Sequence, residues 1–145
     1  MHFIGSEIDW NEITVMFAGS GHSWKGASFF PTQGRIEVAP APPSGFGAEV
    51  LRTGRTLLVN DNMAEAMLRL GAQSTVAAKP GGSKAQVEVP LVIGGAVLGM
   101  IGLHSEREHA FDDATVRLVE TIAASTAVAL ENARLFDETQ RLLKE

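Results

Sequence analysis

The strongest structural signal in the chain is a β-hairpin, which reads Gln86-Val87-Glu88-Val89-Pro90-Leu91-Val92-Ile93, then Gly94-Gly95, then Ala96 to His104. Apolar and β-branched residues dominate both arms, which is typical of strands. A Gly-Gly pair between two such arms suits the positive φ angles of the tight turns that close hairpins. Pro90 has no N–H to donate to a ladder, so it predicts an edge-facing or irregular position in the first arm.

A long helix is predicted after the hairpin. Asp112 or Asp113 can cap its first turn, and a carboxylate there favours the positive end of the helix dipole. Residues 114–145 contain neither glycine nor proline. At 1.5 Å per residue this stretch would be about 45–48 Å long, which is more than the core of a small domain needs.

Shorter elements are predicted upstream of the hairpin. Runs of β-branched, aromatic or apolar residues favour strands at 13–18, 27–30, 35–39 and 57–59. A short helix is predicted over Phe46 to Arg52, and a second runs from an Asp61 N-cap to about Leu70, where Gly71 stops it. Together these elements predict an α+β fold, in which helices flank a central antiparallel sheet of five to six strands and the last helix is long.

Composition narrows the functional classes. The chain has 145 residues, which fits a single domain over 1–145, and it has no cysteine, which excludes disulfides, thiolate metal sites and cysteine nucleophiles. The net charge is −5 and the sequence indicates no basic face, so a nucleic acid is not expected as a partner. No apolar run approaches the ~20 residues of a membrane span, and no signal-peptide pattern opens the chain. We therefore expect a cytoplasmic protein, or the cytoplasmic part of a larger one, with no membrane contact.

Candidate catalytic and metal motifs fail on their spacing. Gly21 to Lys25 reads Gly-His-Ser-Trp-Lys and lacks the final glycine of a nucleophile elbow. His104 and His109 lie five residues apart with two glutamates between them, which does not match the helical spacing of zinc ligands. We interpret 104–109 as a solvated connection between strand and helix, against the alternative of a metal or haem site. No metal and no cofactor is predicted.

The hairpin and the helix after it resemble the C-terminal half of GAF domains. The matching segments are Val89-Pro90-Leu91, Gly94 to Leu103, Phe111-Asp112-Asp113, and Ala129 to Phe136. Residues 46–61 resemble the middle of such domains, where a short helix leads into a strand that ends in an acid. The likeness covers roughly residues 46 to 145 and is greatest for the GAF domains of bacterial histidine kinases and nucleotide cyclases.

The resemblance implies a small-molecule pocket on one face of an antiparallel sheet, and dimerisation through terminal helices. It implies a regulatory domain rather than an enzyme. The Asn-Lys, Phe, Asp-Glu motif of the cyclic-nucleotide-binding branch is not matched, and Phe111 is interpreted as a core plug. Without cysteine, bilin attachment and the thiol chemistry of the methionine-sulfoxide reductase branch are not supported. The first helix of such domains is missing or degenerate here, because residues 1–6 are poor helix formers.

The resemblance also selects candidate ligand-binding residues, which come from the two short helices, the strand ends and the loop before the hairpin: Phe46, Asn60, Asp61, Met67, Lys84 and Gln86. Asp61 is either a helix cap alone or, with Asn60, part of the wall of the ligand cleft. The loop Pro80 to Lys84 lacks the spacing of a phosphate-binding loop. We interpret it as a mobile lid or an anion-binding turn.

The last helix carries a predicted signalling seam. Ile122, Ala129, Phe136 and Leu143 recur every seven residues, and Val119, Thr126 and Ala133 supply the alternating positions of an a/d pattern. The other interpretation is one face packed on the sheet and a frayed tail. Because Phe136 and Leu143 lie beyond what the sheet can cover, the sequence favours contact with the same helix of a second chain, that is, a homodimer.

Three functional hypotheses follow. The first is a regulatory GAF domain of a signal-transduction protein that senses an unknown small molecule and relays the signal through its C-terminal helix. The second is a ligand-free scaffold for dimerisation or interaction. The third is an enzyme, which the sequence disfavours because it contains no recognisable nucleophile, metal cluster or thiol.

Overall fold

A six-stranded antiparallel sheet forms the centre of the molecule, with strands in the order β3-β2-β1-β6-β5-β4. The strands are β1 (Glu12–Ala18), β2 (Trp24–Phe30), β3 (Gly34–Ala41), β4 (Leu57–Val59), β5 (Ala85–Ile93) and β6 (Ala96–Ser105). This computed structural model describes residues 10–18, 24–41, 45–71 and 82–144. The predicted α+β fold is confirmed.

The hairpin lies near the centre of this sheet. β5 and β6 pair from Ala85 with Ser105 to Ile93 with Ala96, and Gly94 and Gly95 both have positive φ angles, as the predicted tight turn requires. β4 pairs with Gln86 to Glu88, so among the described residues no strand pairs with the same side of β5 at Pro90. This is the edge-facing position that the missing N–H of Pro90 predicts.

The described residues form three helices beside the sheet: α1 (Gly45–Thr53), α2 (Met63–Arg69) and α3 (Asp113–Leu143). α3 has 31 residues, which corresponds to about 46 Å at 1.5 Å per residue. Its cap is Asp112, whose side chain accepts a 2.8 Å hydrogen bond from the backbone N–H of Thr115. The predicted long helix and its aspartate cap are therefore confirmed.

The cap predicted for the second helix is wrong. α2 begins after Asn62, which has a left-handed φ of 51° and makes no side-chain capping bond. Asp61 lies one position too early, because the left-handed residue stands between it and the first turn. Gly71, with a φ of 65°, ends the helical segment as expected.

The two faces of the sheet carry different cores. α3 covers one face, where Val119, Ala123 and Ala127 pack in one buried cluster with alternate residues of β5. Phe111 is 1% exposed in that cluster, which confirms the predicted plug. On the opposite face, Val50 of α1 packs with a smaller cluster that includes Trp24 and Met100.

Some predictions fall outside the described residues. These are the absence of an N-terminal helix at residues 1–6, the rejected elbow motif at 21–23 and most of the loop that precedes Lys84. Of the lid-like stretch 80–84, the structure describes residues 82–84, where the backbone N–H of Lys84 donates to the carbonyl of Ser105 over 2.8 Å.

Candidate functional site

Polar side chains from three neighbouring strands meet on the sheet face opposite α3. The strand register places them in two rows: Glu12 pairs with His104 and His104 with Gln86, while Thr14 pairs with Gly102 and Gly102 with Glu88. Residues directly opposite one another share a face of an antiparallel sheet. We call Glu12, Thr14, Gln86, Glu88 and His104 the polar cluster.

The hydrogen bonding of the polar cluster centres on Glu88. The side-chain amide of Gln86 donates through Nε2 to Glu88 Oε1 over 2.7 Å. His104 Nε2 lies 3.7 Å from the same carboxylate oxygen, which is beyond hydrogen-bond reach. On the other side of the imidazole, Ser83 Oγ lies 3.2 Å from Nδ1, with donor and acceptor set by the tautomer.

Gly102 provides the floor on which this carboxylate lies. A Cβ built on Gly102 would meet both oxygens of Glu88, with Oε2 at 2.6 Å, and Thr14 Oγ1 at 2.5 Å. Real Cβ atoms do not come this close to other atoms. The glycine therefore lets the Glu88 carboxylate and the Thr14 hydroxyl approach the strand backbone directly.

Burial changes the proton affinities in the cluster. Glu12 and Glu88 are each only 6% exposed. Burial raises the pKa of Glu88 to about 7, the charge of Glu12 adds to this shift, and the hydrogen bond from Gln86 opposes it. Burial lowers the pKa of His104, while the charge of Glu12 opposes that shift. Burial therefore favours the uncharged form of the imidazole and the protonated form of the Glu88 carboxyl group.

Two buried polar side-chain atoms have no hydrogen-bond partner within the described structure: His104 Nε2, which belongs to the polar cluster, and Asn11 Oδ1, just before β1. Buried polar atoms in native proteins are nearly always paired, because leaving one unpaired costs about 1–3 kcal/mol. The side chain of His104 is 14% exposed, so solvent has little access to its ring. The cluster thus has unused hydrogen-bonding capacity in a largely dry setting.

The predicted ligand-binding residues are dispersed over the fold. Gln86 belongs to the polar cluster, and Phe46 and Met67 are half-buried on α1 and α2. Asp61 and Lys84 are exposed, and Asp61 Oδ2 lies 3.5 Å from His109 Nε2. Of the six, the structure brings only Gln86 into the cluster, and the ligand contacts of the others stay predictions.

Asn60 makes a structural contact that the sequence did not predict. Its side-chain amide donates to the carbonyl of Phe111 over 2.7 Å and accepts from the N–H of Phe111 over 3.2 Å. Its own carbonyl accepts from the N–H of His109 over 2.7 Å. These three bonds join the β4–α2 junction to the segment that opens α3.

Sequence reasoning missed four members of the polar cluster: Glu12, Thr14, Glu88 and His104. The prediction that 104–109 is a solvated connection is wrong for the last two residues of β6, because His104 points into the cluster and Ser105 is fully buried. Residues 106–109 are exposed. The one local signal was the alternation Gln-Val-Glu-Val at 86–89, which is usually the mark of a solvent-facing strand side. No group of three or more potential metal ligands occurs in the part of the chain that the structure describes.

The predicted seam of α3 is exposed along its length. Ile122 is 49% exposed, Phe136 63% and Leu143 76%, and Ala129 and Ala133 are also exposed. One member of the a/d pattern is corrected: Val119 is buried against the sheet, because it lies on the face that packs on β5. Val128, Leu135 and Leu142 form a second exposed stripe with the same seven-residue spacing.

None of the described helices is long and apolar enough to span a membrane.

A family model described as GAF domain matches residues 13–131. The chain belongs to the GAF family. This confirms the resemblance inferred from the hairpin and the long helix, and it extends the likeness upstream to β1. A search of curated proteins finds no match to this GAF domain.

Solved structures share the fold at low sequence identity. Residues 122 to 287 of a methyl-accepting chemotaxis protein align with a TM-score of 0.70 and 18% identity, over 88% of this chain and 81% of that one. The GAF domain of an Acinetobacter phosphoenolpyruvate-protein phosphotransferase gives 0.66 and 12%, over 86% and 74%. Free methionine-R-sulfoxide reductase from Neisseria meningitidis, in complex with its substrate, gives 0.63 and 20%, over 87% and 70%.

The reductase structures correct the prediction that this domain is not an enzyme. Enzymes of the same fold occur among its structural neighbours, from Thermoplasma acidophilum and Staphylococcus aureus as well as Neisseria meningitidis. Membership in the GAF family therefore does not exclude catalysis. At these identities the likeness shows the fold, and the chemistry must be argued from the side chains of this chain.

Proposed function

We propose that this GAF domain is a regulatory module that binds a small molecule at the polar cluster and transmits the event to α3. The observation that carries the proposal is the set of buried acids and the buried imidazole on the sheet face that α3 leaves free. Buried ionisable groups with shifted pKa values occur preferentially at functional sites, because they cost stability where nothing uses them.

A direct structural route for the relay runs through β5. Gln86 and Glu88 face the polar cluster, while Val87 and Val89, on the other side of the same strand, pack in the core cluster that includes Ala123 of α3. A ligand that shifts β5 by a fraction of an ångström would also displace the α3 side chains that pack on it, because packed cores transmit strain. Regulation also requires that the ligand bind two arrangements of α3 with different affinity.

The chemotaxis protein and the phosphotransferase among the structural neighbours support a signalling role. We further propose that α3 pairs with the same helix of a second copy of this chain. Two exposed apolar stripes with heptad spacing, which run to the last turn of the helix, support a helix partner. Ligand binding would then change the geometry of the pair.

The test of ligand binding is a thermal-shift screen of metabolite-sized compounds on three proteins: the natural chain, Glu88→Gln, and Glu37→Gln. Glu37 is a matched control, since it loses the same charge from a side chain that is 80% exposed on β3. The proposal expects compounds whose stabilisation, measured against each protein's own ligand-free melting temperature, disappears in Glu88→Gln and persists in Glu37→Gln. Compounds that stabilise all three proteins equally would place binding elsewhere.

A second candidate function is catalysis at the same cluster. The observation that favours it is the pKa of Glu88, about 7, which is the range in which a carboxyl group exchanges protons effectively at neutral pH. Incubating each screening hit with the protein and following the compound by NMR separates the two functions. A recovered, unchanged compound supports a sensor, and conversion that stops in Glu88→Gln supports an enzyme.

A further inference from the structure

The chemical class of the ligand can be inferred from the free hydrogen-bonding groups of the polar cluster, an inference that rests on the proposed binding site. Hydrogen-bond acceptors dominate there: the carboxyl groups of Glu12 and Glu88 together offer four oxygens. The side-chain donors of the cluster are fewer: the Thr14 hydroxyl and the Gln86 amide, one N–H of which is already used by Glu88. A ligand that enters this space therefore finds acceptors in excess of donors.

The described residues supply no lysine or arginine that pairs with these acids. Within the described residues, neither Glu12 nor Glu88 forms an ion pair with a lysine or an arginine, and Lys25 and Lys84 are exposed. The positively ionisable group that the described residues place beside Glu88 is His104, and burial lowers the pKa of its imidazole. Two carboxyl groups in a dry site without a counter-charge form an unfavourable arrangement that a cation would relieve.

The unpaired imidazole nitrogen gives an independent indication that something binds here. Within the described part of the chain, His104 Nε2 is buried without a hydrogen-bond partner and lies 3.7 Å from Glu88 Oε1, while Ser83 Oγ lies 3.2 Å from its Nδ1. When Nδ1 carries the proton, Nε2 presents a lone pair toward the same space as the carboxylate. A neutral imidazole in that tautomer accepts an N–H hydrogen bond.

We propose that the ligand is a small organic cation of the amine or amidine class, with at least two N–H donors. Glu88 and Glu12 hold its charge, and one of its N–H groups donates to His104 Nε2. The apolar side chains of Leu57 and Met100, which pack together in the cluster on this face, provide a surface for its carbon skeleton. A bare divalent ion is disfavoured, because the described residues include no group of three or more metal ligands.

The proposal implies that binding depends on pH. Among the described residues, Glu12, Glu88 and His104 are the titratable groups of the cluster. Glu49 and Arg52 form an ion pair with each other on α1, and Glu65 and Arg69 of α2 are exposed. A cation must displace the proton that burial retains on Glu88. We therefore expect binding to tighten by about tenfold from pH 6 to pH 8 as the carboxyl ionises.

The experiment compares three nearly isosteric probes, benzamidine, benzamide and benzoate, by ¹H–¹⁵N NMR titration of the whole chain. Benzamidine should shift the amides of 12–14, 86–88 and 102–104, whereas benzamide and benzoate should not. Glu88→Gln and Glu12→Gln should each weaken benzamidine by about tenfold or more, the usual effect of losing a charge-assisted hydrogen bond. Glu37→Gln should leave its affinity unchanged.

The possible failures are distinguishable. If benzamide or benzoate binds these amides as tightly as benzamidine, the site stands and the cationic class is overturned. The class is also overturned if Ca²⁺ or Mg²⁺ shifts the same amides, or if benzamidine leaves them unmoved. These outcomes leave the proposed function standing; it is overturned when no stabilising compound in the thermal-shift screen depends on Glu88.

Discussion

The side-chain amide of Asn60 forms two hydrogen bonds with the backbone of Phe111. Its Nδ2 donates to the carbonyl over 2.7 Å, and its Oδ1 accepts from the N–H over 3.2 Å. Phe111 is itself buried in the core under α3. The pair therefore fixes the start of the long helix against the β4–α2 junction. A hydrogen bond of 2.6 Å from Thr56 Oγ1, just before β4, to Glu120 of α3 joins the same two regions.

The first prediction concerns this connection. Asn60→Ala leaves both backbone groups of Phe111 without their partners, so the free energy of unfolding should fall by about 1–3 kcal/mol. Asn132→Ala, on an exposed position of α3, is the control and should change it little. Urea unfolding followed by tryptophan fluorescence measures both. Equal stability of the two variants would show that the Asn60 bonds contribute nothing.

The second prediction concerns the pH dependence of stability. The pKa of Glu88 is raised from 4.5 to about 7 in the folded protein. Its contribution is therefore fully favourable below pH 4.5, where the carboxyl is protonated in both states, and is lost as pH rises through 7. At about 1.4 kcal/mol per pKa unit, the free energy of unfolding should fall by about 3 kcal/mol over this range.

Glu88→Gln isolates this effect. The variant should match the natural chain at pH 4.5 and exceed it in stability by pH 8, because the buried group no longer ionises. Glu37→Gln, with its exposed side chain, should retain the natural slope. Urea unfolding at several pH values gives the three curves. Parallel curves for Glu88→Gln and the natural chain would contradict the buried, proton-retaining carboxyl.

The third prediction concerns the floor of the polar cluster. Gly102→Ala places a Cβ against the Glu88 carboxylate and within 2.5 Å of Thr14 Oγ1, so these side chains must move. We expect a loss of about 1–3 kcal/mol in the free energy of unfolding, as for other overpacked sites. Adding Glu88→Ala should recover part of it, since the two effects share one contact. Purely additive effects in this double-mutant cycle would argue against the contact.

The fourth prediction concerns the exposed stripe of α3. If α3 pairs with a second copy, Phe136→Glu should lower the dimer fraction measured by light scattering, because it places a charge in an apolar seam. Arg141→Glu is the control, since it lies about 140° around the helix from Phe136 at 100° per residue. A natural chain that stays monomeric at every concentration would contradict the pairing.

The fold was predictable because its signals are local. Alternation in 86–93, the Gly-Gly turn and a breaker-free helix after Asp112 each specify their own element. The predicted Asp61 cap is wrong for a similarly local reason. Asn62 adopts a left-handed conformation and takes the N-cap position, so the helix begins one residue later than predicted.

The site was not predictable because it is made by strand pairing. Glu12 and His104 become neighbours only when β1 pairs with β6, and no periodicity within either segment indicates that register. Glu88 looks solvent-facing in its own strand. Only the tertiary structure shows that this face is covered, and that the acid stays buried beside an imidazole.

The central claim, that the polar cluster is the ligand site of a regulatory GAF domain, is tested most directly by NMR mapping of the first stabilising compound from the screen. The account predicts amide shifts at 12–14, 86–88 and 102–104, followed by smaller shifts along the face of α3 that packs on β5. Shifts confined to the exposed stripes of α3, with the polar cluster unmoved, would contradict it.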